Sequence, residues 1–244
     1  MDLFRVKKKL EERQNKLILG WPENLTVLLD NYMQKYEDGD RIFRENQEYG
    51  FPFWFLMPYW LFRKLNSESE KKNGQRFITN ILWAQHCLIM FIRIQDDVID
   101  ANAADNVLIL AADQFLIEAE KTLNIYFDKS KKLRDEYYSC FKKTTLSLAS
   151  AEDLHRNEST DKNMLARSYA ATAAIFNVAN AAVCAEFEIF KILPHMKKAG
   201  EEISIAGQIL DDLTDIKEDL GLSKKNYAER ILYNDNKSHE ITDF

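Results

Sequence analysis

Asp96, Asp97 and Asp100 place three carboxylates within five residues, and Asp211, Asp212 and Asp215 repeat the pattern in the second half of the chain. At 100° per residue, positions i, i+1 and i+4 fall in one narrow arc of a helix, so each triplet projects its acids to one side. Carboxylates packed this closely repel one another and would protonate or destabilise the helix unless a cation sits among them. Hard oxygen donors with no His or Cys nearby suit Mg²⁺, which keeps several waters and commonly bridges to a phosphate. Two such triplets on facing helices would make a di- or trinuclear magnesium–diphosphate site. A single Asp-Asp-x-x-Asp is short and has a plain alternative as a solvated helix end. Its repetition, each time after an apolar helical stretch, is what points to chemistry.

The elements that must position these acids are helices. Leu3 to Leu19 is amphipathic and rich in Lys and Glu, and Trp21-Pro22-Glu23 is a helix start with Pro at the first position, leading into Asn24 to Tyr36. Turns are expected at Glu37 to Asp40 and at Gly50 to Pro52, then an aromatic helix to Leu65 and a polar loop from Asn66 to Gly74. Gln75 to Ala101 reads as one long helix that is apolar all round, hence buried on every side, and it ends in the first triplet. Further helices are expected over Asp105 to Phe127, Lys132 to Leu154, Asp161 to Leu193 and Pro194 to Leu220, followed by a short basic stretch. Small residues crowd Leu165 to Glu186; they fit either close helix contact or room for a ligand, and the two are compatible.

Composition agrees with an all-α protein. Seven Gly and four Pro leave little material for linkers, so one domain over residues 1–244 is expected, with 1–20 as an N-terminal amphipathic helix and 221–244 as a short basic segment. Hydrophobic residues at 46% and aromatics at 12% suffice for a large core with a lined cavity. A net charge of −6 argues against nucleic acid as a partner. Cys87, Cys140 and Cys184 lack metal-ligand spacing and read as small core residues in a reducing, cytoplasmic setting. No stretch reads as a membrane span, since the most apolar run, Phe51 to Phe62, is short and holds Pro52 and Pro58. Met1 to Leu10 does not read as a signal peptide. His86 reads as a satisfied core histidine, and Arg93 as an i,i+4 partner that keeps Asp97 ionised.

Three motifs carry a family resemblance. The stretch from Ile94 to Asp100 resembles the first aspartate-rich motif of trans-isoprenyl diphosphate synthases, and Ala206 to Asp215 resembles their second, including Gln208 three residues before the Asp pair. Thr172-Ala173-Ala174-Ile175-Phe176 resembles the end of the family's Lys-Thr-x-x-Leu-Phe motif. The resemblance spans roughly Gly50 to Lys225. It implies the class I isoprenoid synthase fold, an antiparallel helical bundle around a deep apolar cavity with both triplets at the open end, and it implies a homodimer.

The departures from that pattern narrow the expectation. Where chain-elongating members carry a basic Gly-Lys-Arg stretch for a second diphosphate, this chain has Gly50-Phe51-Pro52-Phe53-Trp54. Where they carry an Arg pair after the first motif, it has Ala101 to Asp105, and Ala171 replaces the lysine of the middle motif. Desolvating a diphosphate without charge-assisted partners is prohibitive. The resemblance therefore implies a terpene synthase-like enzyme, which ionises one allylic prenyl diphosphate and lets the cation cyclise, eliminate or capture water. Asp211, Asp215 and Asp219 also match the i, i+4, i+8 spacing of the magnesium triad in terpene synthases, and Arg167 stands near the place of their diphosphate-sensing arginine.

The roles expected on this basis can be stated residue by residue. Asp96 and Asp100 with Asp97, and Asp211 and Asp215 with Asp219, hold Mg²⁺; Asp212 completes the second triplet. Arg167, Lys224, Lys225 and Arg230 grip the outer diphosphate oxygens. For Arg167 the alternative is a surface or salt-bridging arginine, and for the other three a solvated C-terminal face. Phe91 sets pocket depth and favours a short substrate; Ile92, Trp83, Phe55, Thr172 and Phe176 are candidate liners or plain core, and Gln208 orients a carboxylate or water. Two alternatives stay open. One is a short-chain prenyltransferase whose second diphosphate is held by Lys162, Arg63 or Lys7 to Lys9. The other is a non-catalytic partner subunit of such an enzyme. Little chain follows Asp219, so a reduced lid, or one supplied by a partner, is expected.

Overall fold

The computed structural model describes residues 3–39, 53–66, 71–99, 105–156 and 162–214, and among them there is no strand. The helices are α1 (Leu3–Ile18), α2 (Glu23–Gly39), α3 (Phe53–Leu65), α4 (Lys71–Ile99), α5 (Leu108–Phe127), α6 (Lys131–Arg156), α7 (Lys162–Thr172), α8 (Asn177–Glu186) and α9 (Leu193–Thr214). Two 3₁₀ segments, Ala173–Phe176 and Phe190–Ile192, precede α8 and α9. The chain forms two compact units, Met1–Tyr137 with Val178–Leu193 and Tyr138–Asn177 with Pro194–Phe244.

In the first unit α4 packs against α1, α3 and α5, and α2 lies on α5. Leu82, Trp83, Ala84 and Gln85 are all fully buried. Four consecutive residues cover more than one turn, so α4 has no outward face at this level. The all-round apolar pattern that the sequence shows is the cause. Two of the polar groups that α4 takes inside, those of Gln85 and Trp83, have partners, as burial requires. Gln85 Oε1 accepts from the Ala179 N–H at 3.2 Å, satisfying one of the donors that the first turn of α8 leaves over. Trp83 Nε1 donates to Glu118 Oε1 at 3.0 Å, and the Arg13 guanidinium lies 4.8 Å from the Trp83 ring and 3.6 Å from the same Glu118 oxygen. α1, α4 and α5 are thereby tied through one carboxylate.

The chain departs from the sequence expectation at several helix ends. The turn expected at Glu37 to Asp40 is helical as far as Gly39, and Asp40 lies outside the described residues with Gly50 to Pro52. The polar loop expected to reach Gly74 gives way to α4 at Lys71. Gly74 suits this helix because a Cβ there would meet Asn66 Oδ1 at 2.8 Å and the Phe62 ring at 3.0 Å, so a larger residue would have to push both side chains aside. The single helix expected from Asp161 to Leu193 is broken. Thr144, from α6, interrupts it: its hydroxyl lies 3.0 Å from the Thr172 carbonyl and 3.3 Å from that of Ala171, and accepts from the Ile175 N–H at 3.0 Å. A side chain inserted in the ladder loosens it to a 3₁₀ stretch. α8 stops where Glu188 takes a positive φ of 55° and the Ile189 N–H bonds the Cys184 carbonyl, a turn that closes helices.

One expectation is corrected outright. Two helical stretches, Gly74–Ile99 and Asn163–Glu186, are long and apolar enough to cross a membrane by length and composition. In each, 78% of the most apolar window is buried inside the protein, as in core helices. The three cysteines are free and buried as expected; burial raises the Cys87 thiol well above its usual value and that of Cys184 to about 11, which leaves both inert.

His86 is enclosed by Phe55, Trp83 and Phe115, and its Nε2 lies 2.7 Å from Gln14 Oε1. Burial lowers its pKa from 6.5 to about 4. The folded value lies below the unfolded one, so its contribution to stability is complete above pH 6.5 and is lost as the pH falls toward 4. Urea unfolding should therefore show the native chain losing about 2 kcal/mol more than His86→Gln between pH 6.5 and pH 5. Equal losses in the two proteins would remove His86 as the source.

Candidate functional site

α4 carries Asp96 and Asp97 of the first triplet on its last turn. The helix is buried through Phe91, Ile92 and Ile94, and emerges at Gln95, Asp96, Asp97 and Val98, which are half-buried. No basic residue lies in that turn. A half-buried carboxylate pair at a helix C-terminus meets the negative end of the helix dipole, a poor place for acids unless cations or polar donors face them. The arrangement is tolerable where polar partners reach the acids. The Tyr32 hydroxyl, from α2, donates to Asp97 Oδ2 at 2.5 Å, a charge-assisted bond that fixes this side chain. Arg93, one turn earlier, is half-buried and engaged.

Tyr32 is the residue of this region that sequence reasoning missed. With Leu25 and Leu29 it falls on the buried stripe of α2, where its ring reads as core and nothing in the spacing reveals where the hydroxyl points. A shallow surface hollow of about 540 Å³ lies further up the same helix, lined by Glu23, Asn24, Val27, Leu28 and Asp105. It is open and mixed in character, not an enclosed apolar cavity.

The second triplet belongs to the second unit. The backbone of Asp211 and Asp212 is helical at the end of α9; their side chains, and all of Asp100, Asp215, Asp219, Lys224, Lys225 and Arg230, lie outside the described residues. Among the described residues no three His, Cys, Asp or Glu side chains gather as a metal set. The donors that are described, two half-buried carboxylates one turn beyond Arg93, fit the hard-oxygen chemistry of magnesium.

The other candidates divide by burial. Phe91 and Ile92 are buried in the first unit, four to six residues before Asp96 and Asp97. Trp83 is fully buried with its ring beneath Arg13 and its N–H on Glu118, and Phe55 sits against His86. Both are built into the core. In the second unit Thr172, Phe176 and Gln208 are half-buried and Arg167 is exposed. Thr172 donates to Ser147 Oγ at 3.1 Å, beside the break that Thr144 makes.

The Tyr32–Asp97 bond gives a direct test. A double-mutant cycle with Tyr32→Phe and Asp97→Asn, read by urea unfolding at neutral pH, should show a coupling of about 1.5 kcal/mol, as for a bond to a charged acceptor. Additive losses would mean that the contact contributes nothing.

Protein-family models, curated proteins and solved structures were all compared with this chain, and none matches it.

Proposed function

We propose that this chain is a magnesium-dependent enzyme of the class I isoprenoid synthase type, which ionises one allylic prenyl diphosphate of about ten to fifteen carbons and lets the cation cyclise, eliminate or capture water. The observation that carries the proposal is the repeated triplet of acids, Asp96, Asp97 and Asp100 with Asp211, Asp212 and Asp215. The position of Asp96 and Asp97, where a long core helix reaches solvent, supports it.

In this reading Asp96, Asp97 and Asp100, with Asp211, Asp215 and Asp219, hold the metal. Magnesium, when bound, neutralises the diphosphate and stabilises the charge that grows on the leaving oxygen. Tyr32 holds Asp97 in one orientation, so part of the ordering cost of the site is met before substrate arrives. Arg167, on an exposed face, binds an outer diphosphate oxygen, with Lys224, Lys225 and Arg230 as further grips. Loss of diphosphate leaves an allylic cation that must be kept dry, and aromatic faces stabilise such a cation by about 2 kcal/mol when desolvated. Phe91 and Phe176 are the candidates for that role. Trp83 is less suited, because its ring already faces the Arg13 cation. The fold that goes with this function is an antiparallel bundle around an apolar cavity, acting as a homodimer in the cytoplasm.

The absence of bases in Gly50 to Trp54, in Ala101 to Asp105 and at Ala171 supports the use of one substrate rather than two. The structure adds a second support. Lys9, one of the residues able to replace those bases, lines a groove with the first turns of α4, while Asp96 lies at the end of that helix. Incubation with geranyl or farnesyl diphosphate and Mg²⁺, with and without isopentenyl diphosphate, decides the matter. Hydrocarbon or alcohol without the second substrate is expected, and Asp96→Asn should lower the rate by at least about a hundredfold. A longer diphosphate formed only with both substrates would mean a prenyltransferase; no turnover would mean a non-catalytic partner subunit.

A further inference from the structure

At the other end of α4 the charge is reversed. Lys9, Glu12, Arg13 and Lys16 project from one face of α1 at i, i+3, i+4 and i+7, and face Gln75, Arg76, Thr79 and Asn80 of α4 across a groove of about 340 Å³. Arg13 forms its inner wall. Its guanidinium is fixed by Asn80 Oδ1 at 3.0 Å and by Glu118 at 3.6 Å, which balances its charge. Lys9, Lys16 and Arg76 are exposed, and among the described residues no carboxylate is paired with them. Among the described residues Glu12 is the one acid on the rim, so the groove carries a surplus of positive charge in a chain whose net charge is −6.

This distribution is costly to leave without a counter-ion. Three cations held around one small hollow repel one another, and the repulsion is relieved when an anion of matching charge enters. The neutral lining supplies donors as well: the amides of Gln75 and Asn80 and the hydroxyl of Thr79 are hydrogen-bonding groups beside the charges. A guanidinium fork with two ammonium groups and amide donors suits tetrahedral phosphate oxygens better than a single carboxylate. The volume suits a small headgroup. Among the described residues the groove lining holds no aromatic ring on which a nucleobase could stack.

We propose that the α1–α4 groove is a second anion site, which binds a phosphate or diphosphate group through Lys9, Lys16 and Arg76 without a metal ion. It is separate from the acid triplet. Arg76 and Asn80 lie sixteen to twenty residues before Asp96 on one continuous helix, which is roughly 24 to 30 Å at 1.5 Å per residue. One short prenyl diphosphate cannot engage both its diphosphate and its reacting carbons across that span. The site therefore takes a second molecule, and the two sources of its phosphate are a free diphosphate and the headgroup of an anionic lipid.

Calorimetric titration of the full chain with inorganic pyrophosphate in EDTA separates this site from any magnesium-dependent one. Binding is expected for the native protein and for Asp96→Asn alike, weakened at least tenfold in the double variant Lys9→Glu/Arg76→Glu. Both altered side chains are exposed, and circular dichroism verifies that the variant keeps its helices. A parallel sedimentation with phosphatidylglycerol vesicles, and with phosphatidylcholine vesicles as control, identifies the source. Pyrophosphate binding assigns a soluble ligand; retention on the anionic vesicles alone, lost in the double variant, assigns a lipid headgroup, and either result supports the site. No metal-free binding of either probe, or binding that the double variant leaves intact, would overturn it. So would metal-free pyrophosphate binding that disappears in Asp96→Asn.

Discussion

The first unit is organised by the burial of α4. A helix apolar on every face cannot rest on a surface; it must be surrounded, and α1, α3 and α5 do so. Enclosure sets strict terms for the polar groups it takes inside. Gln85 caps α8, Trp83 and Arg13 share Glu118, and His86 stays neutral among aromatic rings. An unsatisfied group in any of these places would cost about 1 to 3 kcal/mol, a sizeable part of the stability of an ordinary domain. Where the enclosure ends, at Gln95 to Val98, the helix presents carboxylates rather than the solvated surface a short stretch of charge usually signals.

The two ends of α4 thus differ in kind. One end meets a basic groove built with α1, the other carries half-buried acids braced by Tyr32 of α2. Opposite charges at opposite ends of a rigid rod cannot neutralise each other at that separation, since screening in physiological salt acts within about 8 Å. Each end has to find its own counter-charge, which is why a cation is assigned to one and an anion to the other. In the proposed reading α4 would hold the two sites at a fixed spacing.

Much of this architecture is written in local patterns. The scarcity of Gly and Pro and the helical period of the apolar residues predict an all-α chain, and α1, α3, α5 and α6 start and stop within a few residues of expectation. What pattern could not supply were effects of distant partners. Gly74 looks like a loop residue until the Phe62 ring is seen against it. The break after Thr172 is made by Thr144, from another helix, and no residue within the Ala-rich stretch itself signals it. That Asp96 and Asp97 end a long apolar helix was legible from the helical period alone. Tyr32 was not, because a tyrosine in an apolar stripe shows where its ring goes and leaves the hydroxyl undetermined. Nor was the groove, whose cations are separated by sixty residues of chain and look in sequence like ordinary helix surface.

The central claim is that acids from the two halves of the chain serve a single magnesium–diphosphate site. Anomalous diffraction at the manganese edge, from crystals grown with Mn²⁺ and inorganic pyrophosphate, tests it most directly. The account predicts manganese peaks ligated by Asp96 or Asp100 and by Asp211 or Asp215, with one pyrophosphate bridging ions held by both groups. Manganese bound by one triplet alone, or triplets that ligate ions sharing no pyrophosphate, would contradict it.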